Sequence, residues 1–151
     1  MKDMCLEEKM KVKIKRLDKT LPLPVYATNG SVGFDLYARL DTTINPGEIK
    51  VIPANVIIEI PNGYALKLYA RSSTPKKHGL FLANSVGIID QDYCGPEDEL
   101  GLNVYNFRDM PVTIKRGERI GQGVFTKIEK VGWKEVDIID NKTRGGFGST
   151  G

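Results

Sequence analysis

The shortness of its apolar runs most limits what this chain can fold into. From residue 11 onward they alternate with polar residues or cluster briefly, and each is cut by Gly, Pro or Asn. Residues 11–17 alternate, and residues 33–40 put Phe34, Leu36, Ala38 and Leu40 on one face. Residues 55–60 are rich in Val and Ile and stop at Pro61-Asn62-Gly63, a strong turn signal. Residues 64–70 alternate again, and residues 85–89, 100–107, 112–114 and 120–128 complete the set. Many short strands at regular spacing predict an all-β sandwich or barrel. One turn or so of helix is expected at residues 73–78, with Pro75 near its start.

At 151 residues the chain is long enough for one domain with a sizeable core. The reading divides it into an N-terminal tail (1–10), a β-barrel domain (11–130) and a C-terminal arm (131–151). Net charge is +3, from 22 basic and 19 acidic residues, too small an excess to argue for nucleic acid as a partner. The basic cluster at residues 9–16 alternates Lys with Val12 and Ile14, as a solvated strand face does. Two isolated cysteines, Cys5 and Cys94, make neither a disulfide framework nor a zinc site. The first ten residues are charged and lack the apolar run of a secretory signal, and no stretch approaches a membrane span. An intracellular, cytoplasmic protein with no membrane partner is the expectation.

Five short segments combine Gly or Ser with a charged or polar side chain beside a strand. They are residues 31–36 (SVGFDL), 70–73 (ARSS), 84–95 (NSVGIIDQDYCG), 116–122 (RGERIGQ) and 144–151 (RGGFGSTG). The last is half glycine, so it buries almost no apolar area. Its amides, a guanidinium and an aromatic ring are the equipment of a flexible nucleotide clamp. Asp90 follows the apolar run 86–89, and a carboxylate held at a strand end can orient and deprotonate a water. On its own, Asp90 is equally a turn aspartate, and Tyr93 an ordinary core tyrosine.

In order and spacing, the five segments resemble the motifs of the trimeric deoxyuridine triphosphatase family, over essentially the whole chain after residue 10. The resemblance implies a distorted jelly-roll β-barrel of the β-clip type, assembled as a homotrimer with active sites at subunit interfaces and the arm lent to a neighbour. It implies hydrolysis of dUTP to dUMP and pyrophosphate with Mg²⁺. Asp90 then activates the attacking water. Asn84, with Gly87 and Ile89, belongs to a hairpin that reads uracil, and Tyr93 packs under the deoxyribose, leaving no room for a 2′-hydroxyl. Arg71, Ser72, Ser73 and Gln122 serve the phosphates. Asp35 lies near the metal through waters, with Mg²⁺ held mainly by substrate phosphates. Phe147 covers the base, and Arg144, Gly148 and Ser149 grip phosphates. Glu118 and Arg119 are expected to form ion pairs at a subunit contact, and His78 to be structural.

The pattern departs in places. Ser73 and Thr74 stand where the family usually has Gly and an apolar residue. Cys94 replaces a common Arg, and the acidic insert 97–99 reads as a solvated turn. Lys142 stands where the family's Arg commonly lies, five residues before Phe147. Either Lys142 or Arg144 could supply that charge, and the forked donors of Arg favour Arg144. Two alternatives accompany this reading. A dCTP deaminase shares the fold and the Arg-Ser-Ser stretch, but deamination needs a proton-shuttling acid where Asn103 stands. A dUTP-binding regulatory protein is the other.

Overall fold

The computed structural model describes residues 10–148. Eleven strands and one five-residue helix are found among them. They are β1 (Ile14–Arg16), β2 (Phe34–Tyr37), β3 (Thr42–Ile44), β4 (Ile49–Pro53), β5 (Val56–Ile58), β6 (Tyr64–Tyr69), α1 (Thr74–His78), β7 (Leu80–Leu82), β8 (Gly87–Ile89), β9 (Gly101–Asn106), β10 (Val112–Ile114) and β11 (Arg119–Lys127). They pair in four small sheets, ordered β1-β5, β10-β3, β2-β11-β6-β8 and β4-β9-β7. Every pairing is antiparallel. The chain is all-β, as expected, and takes the jelly-roll-like β-clip form as four stacked sheets rather than one hydrogen-bonded ring.

Alternation explains the core. In β9, Leu102, Val104 and Asn106 point inward, while Gly101, Asn103 and Tyr105 are partly exposed. Ile52 and Leu80 join them from the flanking strands of the same sheet, and Leu36, Ile44, Leu66, Leu68 and Ile114 from the other sheets, all at 1% exposure or less. Truncating one such leucine to Ala costs about 2–5 kcal/mol, because transfer and cavity terms add. Asn106 is fully buried and fully partnered: its amide donates to the Ile44 and Met110 carbonyls at 2.9 Å, and its oxygen accepts from the Arg108 amide. That satisfies the polar group the alternation forces inside.

Leu40 departs from expectation, at 48% exposed. The inward face of β2 ends at Ala38, whose amide leaves the strand to donate to the Glu118 carbonyl at 2.9 Å beside a bulge in β11. Three strands, β3, β4 and β7, had no sequence signal. β3 and β7 have three residues each, and in β4 the apolar Ile49 and Val51 point outward, which breaks the alternation. Helix α1 ends at Gly79, whose φ of 68° suits a residue without a Cβ.

Candidate active site

The structure sorts the candidate residues into two groups along β6, one at its C-terminal end and one along β8, which runs antiparallel from Gly87 opposite Leu68 to Ile89 opposite Leu66 and carries Asp90 and Tyr93 toward the N-terminal end of β6. The first gathers at the C-terminal end. Across the central sheet, Gln122 of β11 stands opposite both Asp35 of β2 and Tyr69 of β6. Arg71 leaves the end of β6, and its Nε forms an ion pair with an Asp35 oxygen at 2.9 Å. Arg119 donates to the other Asp35 oxygen at 3.2 Å. The Gln122 amide donates to the Ala70 carbonyl at 3.1 Å. Gly33 gives the Gln122 side chain room: a Cβ on it would come 2.5 Å from the Gln122 side-chain oxygen and displace that side chain. The Thr74 amide closes a turn onto the Arg71 carbonyl at 3.0 Å, and the turn exposes Ser72 and Ser73. Ser73 occupies the helix N-cap, yet its hydroxyl makes no capping bond, so it is uncommitted.

Arg119, expected as an ion-pairing residue, makes that pair within its own chain on Asp35 and so joins this group. Residues three apart on a regular strand face opposite sides, so its spacing from Gln122 did not announce this; the register of β11 shifts between Arg119 and Gly121. Glu118 also bonds within its own chain: it accepts from the Lys115 amide at 2.8 Å and lies 3.7 Å from Lys77 and His78. His78 is half-buried, and that burial, ahead of the opposing attraction of Glu118, lowers its pKa.

The second group lies on β8 and the turns around it. β8 is the outer strand of its sheet, with Gly87 opposite Leu68 and Ile89 opposite Leu66. One backbone edge of β8 is therefore unpaired among the described residues. Such an edge presents amides and carbonyls in a fixed order, as a planar base with donors and acceptors requires. Asn84 precedes β8 in a turn and is exposed; the following Ser85 takes φ of 63°. After β8, the Tyr93 amide donates to the Asp90 carbonyl at 3.2 Å, so Asp90 and Tyr93 end one turn. The Gln91 side chain fastens that turn by donating to the Tyr64 carbonyl at 2.9 Å. Asp90 opens on a cavity of about 580 Å³ that it shares with Lys67, Gln91 and Asp92.

The expected hairpin over residues 84–93 is not a pair of mutually bonded strands. β8 bonds to β6, and the chain beyond Tyr93 turns away. Beyond it the chain turns at residues 95–98, where the Gly95 amide donates to the Asp98 carboxylate at 2.7 Å. The acidic insert begins as the expected solvated turn, with Pro96 and Glu97 exposed, but it does not end as one. Glu99 is largely buried and paired with Arg39 by two bonds of 2.7 and 2.8 Å.

Asp90 and Arg71 do not meet within one chain. By the β6 register, Asp90 falls one residue beyond the Leu66–Ile89 pair, level with Ala65, and Arg71 lies six residues further along. At about 3.3 Å per strand residue that is roughly 20 Å. Arg144, Phe147 and Gly148 lie apart from both groups, on a described arm (residues 131–148) that has no strand or helix and is exposed throughout. Ser149 lies outside the described residues.

No cluster of three or more His, Cys, Asp or Glu side chains able to hold a metal exists among the described residues. Both Asp35 oxygens are paired with guanidinium groups, which favours contact with a cation through waters over direct ligation. This donor set fits Mg²⁺ arriving with a polyphosphate, since Mg²⁺ keeps several waters and binds through phosphates. No helix is long and apolar enough to cross a membrane.

Comparison with known proteins agrees with this geometry. The family model described as dUTPase matches residues 19–151. The deoxyuridine 5'-triphosphate nucleotidohydrolase of Wolbachia pipientis subsp. Culex pipiens is 42% identical over 152 residues, spanning 95% of this chain and 97% of that one. The crystal structure of dUTPase from Streptococcus mutans covers 80% of this chain and 98% of its own, at 33% identity and a TM-score of 0.73. Staphylococcus bacteriophage 80alpha dUTPase with dUPNHPP covers 95% and 99%, at 26% identity and a TM-score of 0.83. With a fold, a motif order and a family match that run together from the first barrel strands into the arm, the chain belongs to the dUTPase family.

Proposed function

We propose that the protein hydrolyses dUTP to dUMP and pyrophosphate in sites shared between three copies of the chain. The observation that carries this reading is the turn that places Asp90 and Tyr93 beside the free edge of β8. That edge offers peptide groups to the uracil, Asn84 stands at its entrance, and Tyr93 lies against the sugar. Asp90 accepts a proton from a water as the water attacks the α-phosphorus in line. A bond forms from the water oxygen to that phosphorus, and the bond to the bridging oxygen breaks. The leaving electron pair departs with pyrophosphate, and no covalent enzyme intermediate is needed.

Arg71 and Gln122, with the Ser72 and Ser73 hydroxyls, bind and orient the phosphate chain. Asp35 holds Arg71 and Arg119 in place. When bound with the triphosphate, Mg²⁺ would neutralise charge on the phosphate oxygens. The arm (131–151) closes over the nucleotide, with Phe147 on the base and Arg144, Gly148 and Ser149 on phosphates, and excludes water from the reacting centre.

The separation of Asp90 from Arg71 and the apolar surface that one chain leaves uncovered support assembly as a homotrimer. Ile49, Tyr105 and Phe81 lie in one cross-strand row on the outer face of the β4-β9-β7 sheet. Ile49 is 58% exposed, and Phe81 stacks with Phe107 at 5.8 Å. The arm exposes Trp133, Ile138 and Ile139. Apolar surface of this kind marks contacts with other chains. A deoxynucleoside triphosphate is an intracellular metabolite, so the cytoplasm is the proposed compartment.

The test is a pyrophosphate-release assay with dUTP, dCTP, dTTP and UTP in the presence of Mg²⁺. Release from dUTP alone supports the proposal. Ammonia release from dCTP would overturn it in favour of deamination. Asp90→Asn should keep dUTP binding and lose turnover by about 10²–10⁴.

A further inference from the structure

The insert at residues 97–99 does more than bridge two strands. The Glu99 carboxylate accepts from Arg39 Nε at 2.7 Å and from its terminal nitrogen at 2.8 Å. It also accepts from the Asn55 amide at 2.8 Å. Asn55 is itself immobilised: buried, with φ of 69°, and bonded through both side-chain ends to the Asp18 backbone at 2.7 and 3.0 Å. The Leu100 amide then donates to the Val56 carbonyl at 2.9 Å, and the Ala54 amide to the Leu100 carbonyl at 2.8 Å. Glu99 is thus fixed through its side chain and through the residue that follows it.

What this fixes is the Glu99 carbonyl, and that carbonyl accepts the Tyr93 hydroxyl at 3.2 Å. Tyr93 is 40% exposed, so packing by itself does not set its ring. Its two tethers are its amide on Asp90 and its hydroxyl on Glu99. Tyr93 and Glu99, with Ile89 and Leu100, line one cavity of about 270 Å³.

We propose that Glu99, clamped by Arg39, is a positioning residue that holds the Tyr93 ring and so sets the discrimination against a 2′-hydroxyl. The inference rests on the reading of Tyr93 as the residue beneath the deoxyribose. Steric exclusion works only as well as the excluding group is held still. A ring free to rotate by one rotamer would admit the extra oxygen. Arg39 and Glu99 form a fork-to-fork pair, the side-chain pairing with the least freedom.

The experiment measures kcat/KM for dUTP and for UTP in the full-length assembled protein. The variants are Glu99→Ala, Arg39→Ala, Tyr93→Phe and the Tyr93→Phe/Glu99→Ala double. Each single substitution should lower the dUTP-to-UTP ratio by about three- to tenfold, the factor one neutral hydrogen bond is worth. The double variant should lose no more than Tyr93→Phe, because the two act through one contact. A lower melting temperature with an unchanged ratio in Glu99→Ala and Arg39→Ala would make the pair purely structural and overturn the proposal. Where these variants fail to fold, Arg39→Lys, which keeps the charge and loses the fork, and Tyr93→Phe decide, and an unchanged ratio in both overturns it. Failure of the underlying reading shows in the unmodified protein, as equal use of dUTP and UTP, before any variant is made.

Discussion

Arg71 and Asp35 are joined by a 2.9 Å ion pair across the end of the central sheet, with Arg119 on the other Asp35 oxygen at 3.2 Å. The carboxylate sits between two guanidinium groups and fixes both, which leaves their remaining N–H groups for phosphate oxygens. Arg71→Ala should lower kcat/KM for dUTP by about ten- to a hundredfold, the worth of one charged hydrogen bond. Asp35→Asn should show part of the same loss, and the double variant should be less than additive. Steady-state kinetics on the four proteins checks the coupling.

Separation along β6 gives a test of shared sites. Asp90→Asn and Arg71→Ala each impair one of the two residues, which lie roughly 20 Å apart in one chain. Mixing the two impaired variants under conditions that exchange subunits should raise dUTP hydrolysis above the sum of the two proteins measured separately, because some sites then combine intact groups from different chains. Recovery is absent if each chain completes its own site.

The exposed arm leads to a third expectation. Deleting residues 144–151 should reduce turnover strongly while light scattering reports the same assembly as the full chain. Phe147 is fully exposed in the isolated chain, so its removal should not shift the melting temperature. Near-normal turnover would remove the arm from the mechanism.

Acid should unfold the protein in two steps. His78 has a pKa lowered by burial, so the unfolded chain takes up a proton near its ordinary value of about 6.5 while the native chain resists. The unfolded state binds more protons in that interval, and stability falls as pH drops from about 6.5 through the lowered native value. Asp18 lies well below the usual carboxylate range, held by the Thr20 hydroxyl first and by Arg116 next. Hydrogen bonds from the Arg116 amide and then Lys115 lower Asp41 in the same direction. Their contribution is present above about pH 3.9 and is lost as pH falls through the native values. Thermal melts across pH should show both steps, and His78→Gln should flatten the upper one.

Local chemistry decided what could be read without coordinates. The alternation of residues 64–70, the Pro61-Asn62-Gly63 turn and the short helix before Gly79 depend on neighbours in sequence, and they stand where expected. Asp90, Tyr93 and the other motif residues were nameable because each type carries its own chemistry. What only the tertiary structure decided depends on partners far along the chain. Arg119 joins Asp35 from 84 residues away, and Glu99 meets Arg39 from 60. β7 and β8 pair with different strands, so the expected hairpin dissolves into two turns. Periodicity records which way a side chain faces; it does not record which strand lies alongside. That is set by register and burial across sheets, and it is register that sends Asp90 and Arg71 to opposite ends of β6.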